Sequence, residues 1–102
     1  MLEKDFLKYC EEALNKLFQN IEEKDKNSKL DIEYSDGIIK IMIDESRQTF
    51  VINRHSASQK IWYSSPFSGA AYFSFNQTNN QWLDTKNREL ISTTINELNN
   101  YF

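Results

Sequence analysis

The residues of this chain that can do chemistry are mainly carboxylates. Glu22, Glu23 and Asp25 lie near the end of a predicted first helix, and Asp31 and Glu33 follow at a spacing of two on a predicted strand. Carboxylates are hard oxygen ligands that suit ferric iron and also accept ferrous iron, manganese or calcium. An open ridge of such groups binds cations weakly and without selectivity. A solvated charged face and an electrostatic contact with a basic protein stay open as alternatives.

Residues for covalent or redox catalysis are scarce. The chain has one histidine, His55, in the polar stretch after a predicted strand, and one cysteine, Cys10, within an apolar helical stripe. A nucleophile needs a base beside it, and a zinc site needs several Cys and His ligands at short spacing. We therefore interpret His55 as a surface residue and Cys10 as a core residue. Two glycines cannot build a nucleotide-binding loop, so the sequence predicts no enzyme.

Charge is distributed unevenly along the chain. Residues 1–45 carry twelve acids against seven lysines, whereas residues 46–102 carry three acids against five basic residues. Phosphate binding needs clustered Lys and Arg, so nucleic acid is excluded as a partner. The acidic half favours cations or basic proteins instead.

The N-terminal stretch and the single cysteine indicate where the chain works. The stretch lacks the continuous apolar segment of a secretory signal, and it is acidic where an organelle transit peptide is rich in Arg. No run of 18 apolar residues is present to span a membrane. One cysteine permits no internal disulfide, as is usual in a reducing compartment. We therefore expect a cytosolic chain that does not associate with membranes.

The pattern of apolar residues predicts one α+β domain over residues 1–102. Spacings of three and four predict an amphipathic helix from Glu3 to about Glu23 and a second helix capped by Asp84 or Thr85. We predict strands at residues 30–34, 38–43, 49–53, 60–64, 71–75 and 81–83, the first two joined by an Asp-Gly turn. Consecutive strands favour a mostly antiparallel sheet of five to six strands. Both helices then pack on one face, giving a two-layer sandwich whose other face meets solvent.

Trp62 is the residue most indicative of a binding surface. Its neighbours Ile61 and Tyr63 are predicted to point inward, so Trp62 points to the open face of the sheet. A large exposed indole is unfavourable unless it meets a partner. The sequence therefore predicts a partner surface centred on Trp62.

The segment from Thr49 to Phe73, TFVINRHSASQKIWYSSPFSGAAYF, has a specific pattern. Its core is VINR, then Gln59, then IW, then SSPFSG. In residue types and spacing it resembles the most characteristic region of the frataxin family, in particular the bacterial CyaY-like members. The resemblance continues over nearly the whole chain, from the acidic opening helix through the aromatic sixth strand to the closing helix.

This resemblance implies the α-β sandwich of the family and a role in iron–sulfur cluster assembly. Members of the family bind the cysteine desulfurase and its scaffold protein, modulate sulfur delivery and bind iron weakly on an acidic ridge, while catalysis belongs to the partner. The implied ridge consists of Glu22, Glu23, Asp25, Asp31 and Glu33. The implied partner-binding residues are Glu11, Glu12, Asn53, Arg54, Gln59 and Trp62. Among these, we expect Asn53 and Arg54 to place an amide and a cation beside the indole.

The chain departs from the family pattern at several positions. Phe18, Gln19, Asn27 and Lys29 stand where many relatives carry acids, which reduces the expected capacity for iron. Tyr72 stands where eukaryotic members carry a basic residue, which puts one partner contact in doubt. The absence of a presequence and of any C-terminal extension makes the chain resemble a bacterial member, which we expect to work in the cytoplasm. The many Asn, Lys and Ile residues indicate an AT-rich genome.

Two other functions fit parts of the sequence. An iron-storage or ferroxidase-like protein would also hold iron, but its centre needs Glu and His ligands inside a helical bundle. A metal-independent acidic adaptor would use only the electrostatic surface. We expect a monomer, and the sequence leaves open both iron-driven assembly and the sign of the effect on the desulfurase.

Overall fold

The computed structural model describes all residues from Met1 to Phe102 as two helices packed on a six-stranded antiparallel sheet. The helices are α1 (Glu3–Lys24) and α2 (Leu90–Leu98), followed by a 3-10 turn at Asn99–Tyr101. The strands are β1 (Leu30–Ser35), β2 (Ile38–Ile43), β3 (Thr49–His55), β4 (Lys60–Ser65), β5 (Gly69–Asn76) and β6 (Gln81–Leu83). They lie side by side in chain order, so the sheet is a meander. The predicted α+β sandwich is confirmed.

Helix α1 forms because its apolar residues repeat at the helical period. At most 1% of each residue in this stripe is exposed: Phe6, Cys10, Leu14, Leu17 and Ile21. Burial raises the pKa of the Cys10 thiol to about 12 against a weaker opposing effect of Arg54, so the thiol stays protonated and behaves as a core residue. Neither helix is long and apolar enough to cross a membrane.

Asp36 and Gly37 make the predicted two-residue turn between β1 and β2. Their φ angles are 49° and 74°, and Ser35 pairs directly with Ile38 across the turn. Two successive positive φ angles are those of a type I′ turn, whose twist matches the twist of the strands it joins. The turn therefore sets the register of β1 against β2.

The start of α2 differs from the prediction, which placed its cap at Asp84 or Thr85. The helix begins at Leu90, and Glu89 caps it by accepting two backbone N–H groups of the first turn at 2.7 and 2.9 Å. Glutamate is an unusual capping residue, whereas Asp and Thr are common ones. The prediction therefore favoured Asp84 and Thr85 over Glu89.

Asp84 has a different structural role, in the segment that precedes α2. Its buried carboxylate accepts the backbone N–H groups of Lys86 and Arg88 at 2.9 and 2.8 Å, and the Arg88 guanidinium at 2.7 Å. These bonds turn the chain from β6 into the helix.

Replacing Gly37 by Ala should destabilise the fold by about 1–2 kcal/mol, because a side chain is strained at a φ of 74°. An added Cβ would also lie 2.8 Å from Cζ of Arg54, at the end of a flexible side chain that can move away. Gly69→Ala is the matched control, since Gly69 has a φ of 83° and nothing within 4 Å of an added Cβ. Urea unfolding should show similar losses for both variants. A loss below about 0.5 kcal/mol at both positions would contradict the left-handed backbone.

Asp84→Asn should lower the free energy of unfolding at neutral pH by about 1–2 kcal/mol. Burial alone would raise the pKa of Asp84, but the hydrogen bonds from Arg88 and Lys86 outweigh it and hold that pKa below its ordinary value. The ionised carboxylate therefore stabilises the fold above the ordinary pKa of about 3.9, and this contribution is lost as the pH falls through the lower, folded-state pKa.

Urea unfolding of wild type and Asp84→Asn between about pH 7 and pH 2 measures this contribution. The two proteins should differ near neutral pH and converge at the acid end. Asp44→Asn, at an exposed position, is the matched control and should change stability by less than about 0.5 kcal/mol. A difference that stays constant over the whole range would show that the Asp84 charge does not stabilise the fold.

Candidate functional site

Trp62 lies on the face of the sheet that the helices leave open. Its neighbours Ile61 and Tyr63 are 0% and 2% exposed and face the helices, whereas Trp62 is 38% exposed. The register places Asn53 of β3 and Tyr72 of β5 directly opposite Trp62. The structure therefore places Trp62 on the predicted face.

Aromatic rings flank the Trp62 indole. The His55 imidazole stacks on it with ring centroids 3.7 Å apart and planes 14° apart, and the Tyr72 ring meets it edge-on at a centroid distance of 5.7 Å. Ser58 Oγ lies 2.7 Å from His55 Nδ1 and fixes the imidazole. We call His55, Trp62 and Tyr72 the aromatic strip, which crosses β3, β4 and β5.

His55 is a strand residue, so its predicted place in the polar stretch after the strand is wrong. It ends β3 and pairs with Lys60, because the ladder between β3 and β4 continues up to the turn. The period of two along β3 brings His55 to the same face as Asn53. Sequence reasoning missed this contact because the predicted strand stopped at Asn53. A predicted strand that continued to His55 would have placed His55 on the same face as Asn53.

The predicted position of Arg54 beside the indole is also wrong. Arg54 pairs with Ile61, whose neighbour in β4 is Trp62, so the side chain of Arg54 points to the helical side of the sheet. There it lines a cavity of about 360 Å³ with Glu11, and its guanidinium lies against Gly37. A contact between Arg54 and a partner stays a prediction.

Asn53 shares the open face with Trp62 and lines a shallow notch of about 180 Å³. Residues of β3, β4 and β5 form its walls, among them Val51, Ala70 and Tyr72. The notch combines apolar walls with one side-chain amide. It is therefore suited to a side chain of a docked protein.

Gln59 sits in the turn between β3 and β4 with a φ of 54°. Its side-chain N–H donates to the backbone carbonyl of Met1 at 2.9 Å. Gln59 thus fastens the N-terminal segment to the turn, and its predicted contact with a partner is untested.

The SSPFSG loop is anchored by Glu97 of α2. Tyr63 and Ser65 each donate their hydroxyl to the Glu97 carboxylate, and Ser65 Oγ accepts the backbone N–H groups of Phe67 and Ser68. Burial, together with the Glu97 carboxylate, raises the pKa of Tyr63 and keeps its phenol a donor. The Ser65 hydroxyl is therefore occupied in bonds that hold the loop to α2.

The predicted ridge residues belong to two elements. Glu22 and Glu23 are exposed near the end of α1, and Asp31 and Glu33 are exposed on the open face of β1. We call these four residues the acidic edge. Asp25 differs from them, because its half-buried carboxylate accepts the backbone N–H groups of Lys29 and Leu30 at 2.8 and 3.1 Å. These hydrogen bonds fix the connection from α1 to β1. They leave the Asp25 carboxylate less able to bind a metal ion.

The acids do not converge on a point. No group of three or more His, Cys, Asp or Glu side chains is placed to hold a metal ion. Glu33 also lies opposite Lys40 in the register of β1 and β2. The acidic edge therefore offers one or two carboxylates at a time, and a hard cation bound there would keep most of its water.

Glu11 and Glu12 are exposed on different flanks of α1. Glu11 lines the Arg54 cavity, and Glu12 lines a separate cavity beside Trp82. The structure does not bring either residue to the face that carries the aromatic strip.

The whole chain, residues 1–102, matches the family model described as a frataxin-like domain. The chain is 29% identical over 92 residues to the mitochondrial frataxin homolog of Schizosaccharomyces pombe, which is 89% of this chain and 58% of that protein. It is 32% identical over 75 residues to the mitochondrial frataxin of Dictyostelium discoideum, which is 70% of this chain and 38% of that protein. The chain thus spans between 38% and 58% of the length of these two relatives.

Solved structures of similar proteins share the architecture. A frataxin from Psychromonas ingrahamii has a TM-score of 0.81 at 16% identity, over 96% of this chain and 89% of that one. A trimeric frataxin from the yeast Saccharomyces cerevisiae, complexed with ferrous iron, has a TM-score of 0.76 at 26% identity, over 91% of this chain and 84% of that one. The first of these likenesses bears on the fold alone.

Replacing His55 by Ala should uncover the Trp62 indole while the protein stays folded. The loss in stability should be about 0.5–1 kcal/mol, the value of one cross-strand aromatic pair. Acrylamide quenching of tryptophan fluorescence reports exposure, and Trp62→Phe isolates the signal of buried Trp82. Quenching of the Trp62 component should rise in His55→Ala and stay unchanged in Thr78→Ala, at an exposed turn. Equal quenching of the Trp62 component in the wild type, His55→Ala and Thr78→Ala would contradict the stacked geometry.

Proposed function

Because the chain belongs to the frataxin family, we propose that it is a non-catalytic accessory protein of iron–sulfur cluster assembly. In this role it binds a cysteine desulfurase and its scaffold protein through the open face of the sheet. It holds iron weakly on the acidic edge. The match of the family model to residues 1–102 supports this proposal.

The exposed aromatic strip is the observation that carries the proposal. Trp62 and Tyr72 are 38% and 51% exposed on a sheet face that no helix covers. Exposed aromatic clusters are enriched among residues that dominate binding energy, since they bury a large area at little cost in side-chain entropy. The notch beside Trp62 gives a partner side chain a place to enter. The open face is therefore the docking surface.

The acidic edge shares this face in part. Asp31 and Glu33 lie on the open side of β1, three strands from Trp62 on β4. At a strand spacing of about 4.8 Å, this separation is about 14 Å, which a single protein partner readily covers. Iron held at the edge would change the charge that a basic partner meets. Iron binding and partner binding are thereby coupled through one interface.

A second candidate is a metal-independent acidic adaptor. The lack of any convergent group of three metal ligands favours it. In this case the acidic edge acts only by attracting basic surfaces. An iron-storage or ferroxidase-like protein is less well supported, because two helices on a sheet do not form the ligand-bearing bundle that such a centre needs.

The proposed place of action is the bacterial cytoplasm. The buried, unpaired Cys10 is compatible with a reducing compartment, whereas the two relatives named above are mitochondrial. We propose that the chain acts as a monomer. Sedimentation with and without ferrous iron tests this, because the yeast structure complexed with ferrous iron is trimeric.

The proposal is tested by titrating the protein against its cognate desulfurase–scaffold complex. Trp62→Ala should weaken binding by about tenfold or more, and Asn53→Ala by a smaller factor. Thr78→Ala is the control, because Thr78 is exposed in the turn between β5 and β6 and is not part of the aromatic strip or the notch. It should change binding by less than about threefold. Equal losses in Trp62→Ala and Thr78→Ala would contradict the assignment of the open face.

Charge reversal separates the two candidates. Glu22→Lys/Glu23→Lys should weaken binding mainly at low salt, and ferrous iron should shift the affinity of the wild type but not of this variant. Loss of binding on charge reversal with no effect of iron on the wild type would favour the metal-independent adaptor. A wild-type protein that does not bind the complex would refute both.

A further inference from the structure

One carboxylate holds the end of β4 from the helical side of the sheet. Tyr63 and Ser65 point to that side, where they are 2% and 6% exposed. Each donates its hydroxyl to the carboxylate of Glu97 in α2, and the bond from Ser65 is 2.9 Å long. Hydrogen bonds to a carboxylate are stronger than those between neutral groups. We call Tyr63, Ser65 and Glu97 the carboxylate clamp.

The notch beside Trp62 lies directly in front of the carboxylate clamp. Ser64 stands between the two clamped residues of β4, so it points to the open face. It pairs with Val51 of β3 and with Ala70 of β5. All three residues line the notch. The clamp therefore binds the back of a strand segment whose front is a wall of the notch.

The clamp also fixes the loop that joins β4 to β5. Ser65 Oγ accepts the backbone N–H groups of Phe67 and Ser68 at 3.0 and 3.1 Å. Ser65 pairs with the first residue of β5, and Ala70 of the notch wall follows that residue. Both strands at the notch are thus positioned around one serine hydroxyl that Glu97 holds.

The position of Glu97 does not benefit its own helix. It lies in the last turn of α2, where the negative end of the helix dipole disfavours an acid. Without its carboxylate, two buried hydroxyls would lose an acceptor, which is unfavourable. Thr94 offers the Tyr63 hydroxyl a second partner, whereas Ser65 donates its proton to Glu97 alone. The end of β4 would therefore have to move to satisfy Ser65.

We propose that Glu97 is a positioning residue of the docking surface. From the helical side of the sheet it sets the shape of the notch beside Trp62, and it does so without touching a bound partner. This inference rests on the proposed function, because it assigns the notch to the partner that docks on the open face. The affinity for that partner thereby depends on a residue of the helical layer.

Spectra of the ¹⁵N-labelled full chain test the shape of the notch without any partner. Glu97→Leu should move the backbone amide signals of Ser64 and Ala70, and should speed hydrogen exchange of the Ser68 amide by about fivefold or more. Asp84→Asn is the matched control. It alters another buried carboxylate that accepts backbone N–H groups on the helical side, but one that lies after β6 and outside the notch. It should leave these signals unchanged.

Titration against the desulfurase–scaffold complex tests the consequence for docking. Glu97→Leu should weaken binding by about fivefold. Glu97→Gln keeps an acceptor oxygen and should lose less than about twofold. Ser65→Ala should weaken binding at least as much as Glu97→Leu, and the double variant should lose little more than Ser65→Ala, because both changes remove the same hydrogen bond. Asp84→Asn should bind like the wild type.

Failure of this inference can be distinguished from failure of the proposed function. Unmoved Ser64 and Ala70 signals in a folded Glu97→Leu sample would overturn the inference, whatever the partner does. Normal binding by Glu97→Leu, with binding lost in Trp62→Ala, would overturn it and leave the proposed function intact. Equal losses in Glu97→Leu and Asp84→Asn would mean that lower stability weakens binding. A wild-type protein that does not bind would refute the proposed function and with it the docking role of Glu97.

Discussion

Side chains alternate between the two faces of an antiparallel sheet, and this chain has only two helices with which to cover it. The helices close one face, where Ile39, Ile52, Ile61 and Phe73 lose all contact with water. The other face has no cover, so its residues must tolerate solvent or meet a partner. The face on which a strand presents a residue therefore decides whether that residue can serve the core or a binding surface.

The strongest local patterns predicted the fold well. The stripe of α1, the alternation of Leu30, Ile32 and Tyr34 in β1 and the Asp36-Gly37 turn are encoded by neighbours in sequence, so no distant contact was needed to find them. The end of β3 was missed because Arg54 and His55 are polar, and only pairing with β4 makes them strand residues. The start of α2 was missed because the carboxylate of Asp84 is used by the preceding turn.

Features of the candidate site could be predicted from the sequence where neighbouring residues determine them, and not where they depend on how separate elements pack. The exposure of Trp62 follows from its two inward neighbours, so the sequence sufficed. The stacking of His55 depends on how two strands are aligned, which no single-strand pattern contains. The exposure of the acids was foreseeable, but the distance between a helix end and a strand edge was not. The hydrogen bonds from the backbone to the Asp25 carboxylate could not be predicted from the sequence either.

The meander order of the strands has a consequence for how the chain folds. Each strand pairs with its neighbour in sequence across a connection of two to five residues, so every ladder closes a short loop. The contact between α1 and α2, by contrast, joins opposite ends of the chain and closes its longest loop. Loop-closure entropy therefore opposes the sheet only slightly and opposes helix docking most. The sheet can grow hairpin by hairpin, and the terminal helices complete the hydrophobic core that makes the whole cooperative.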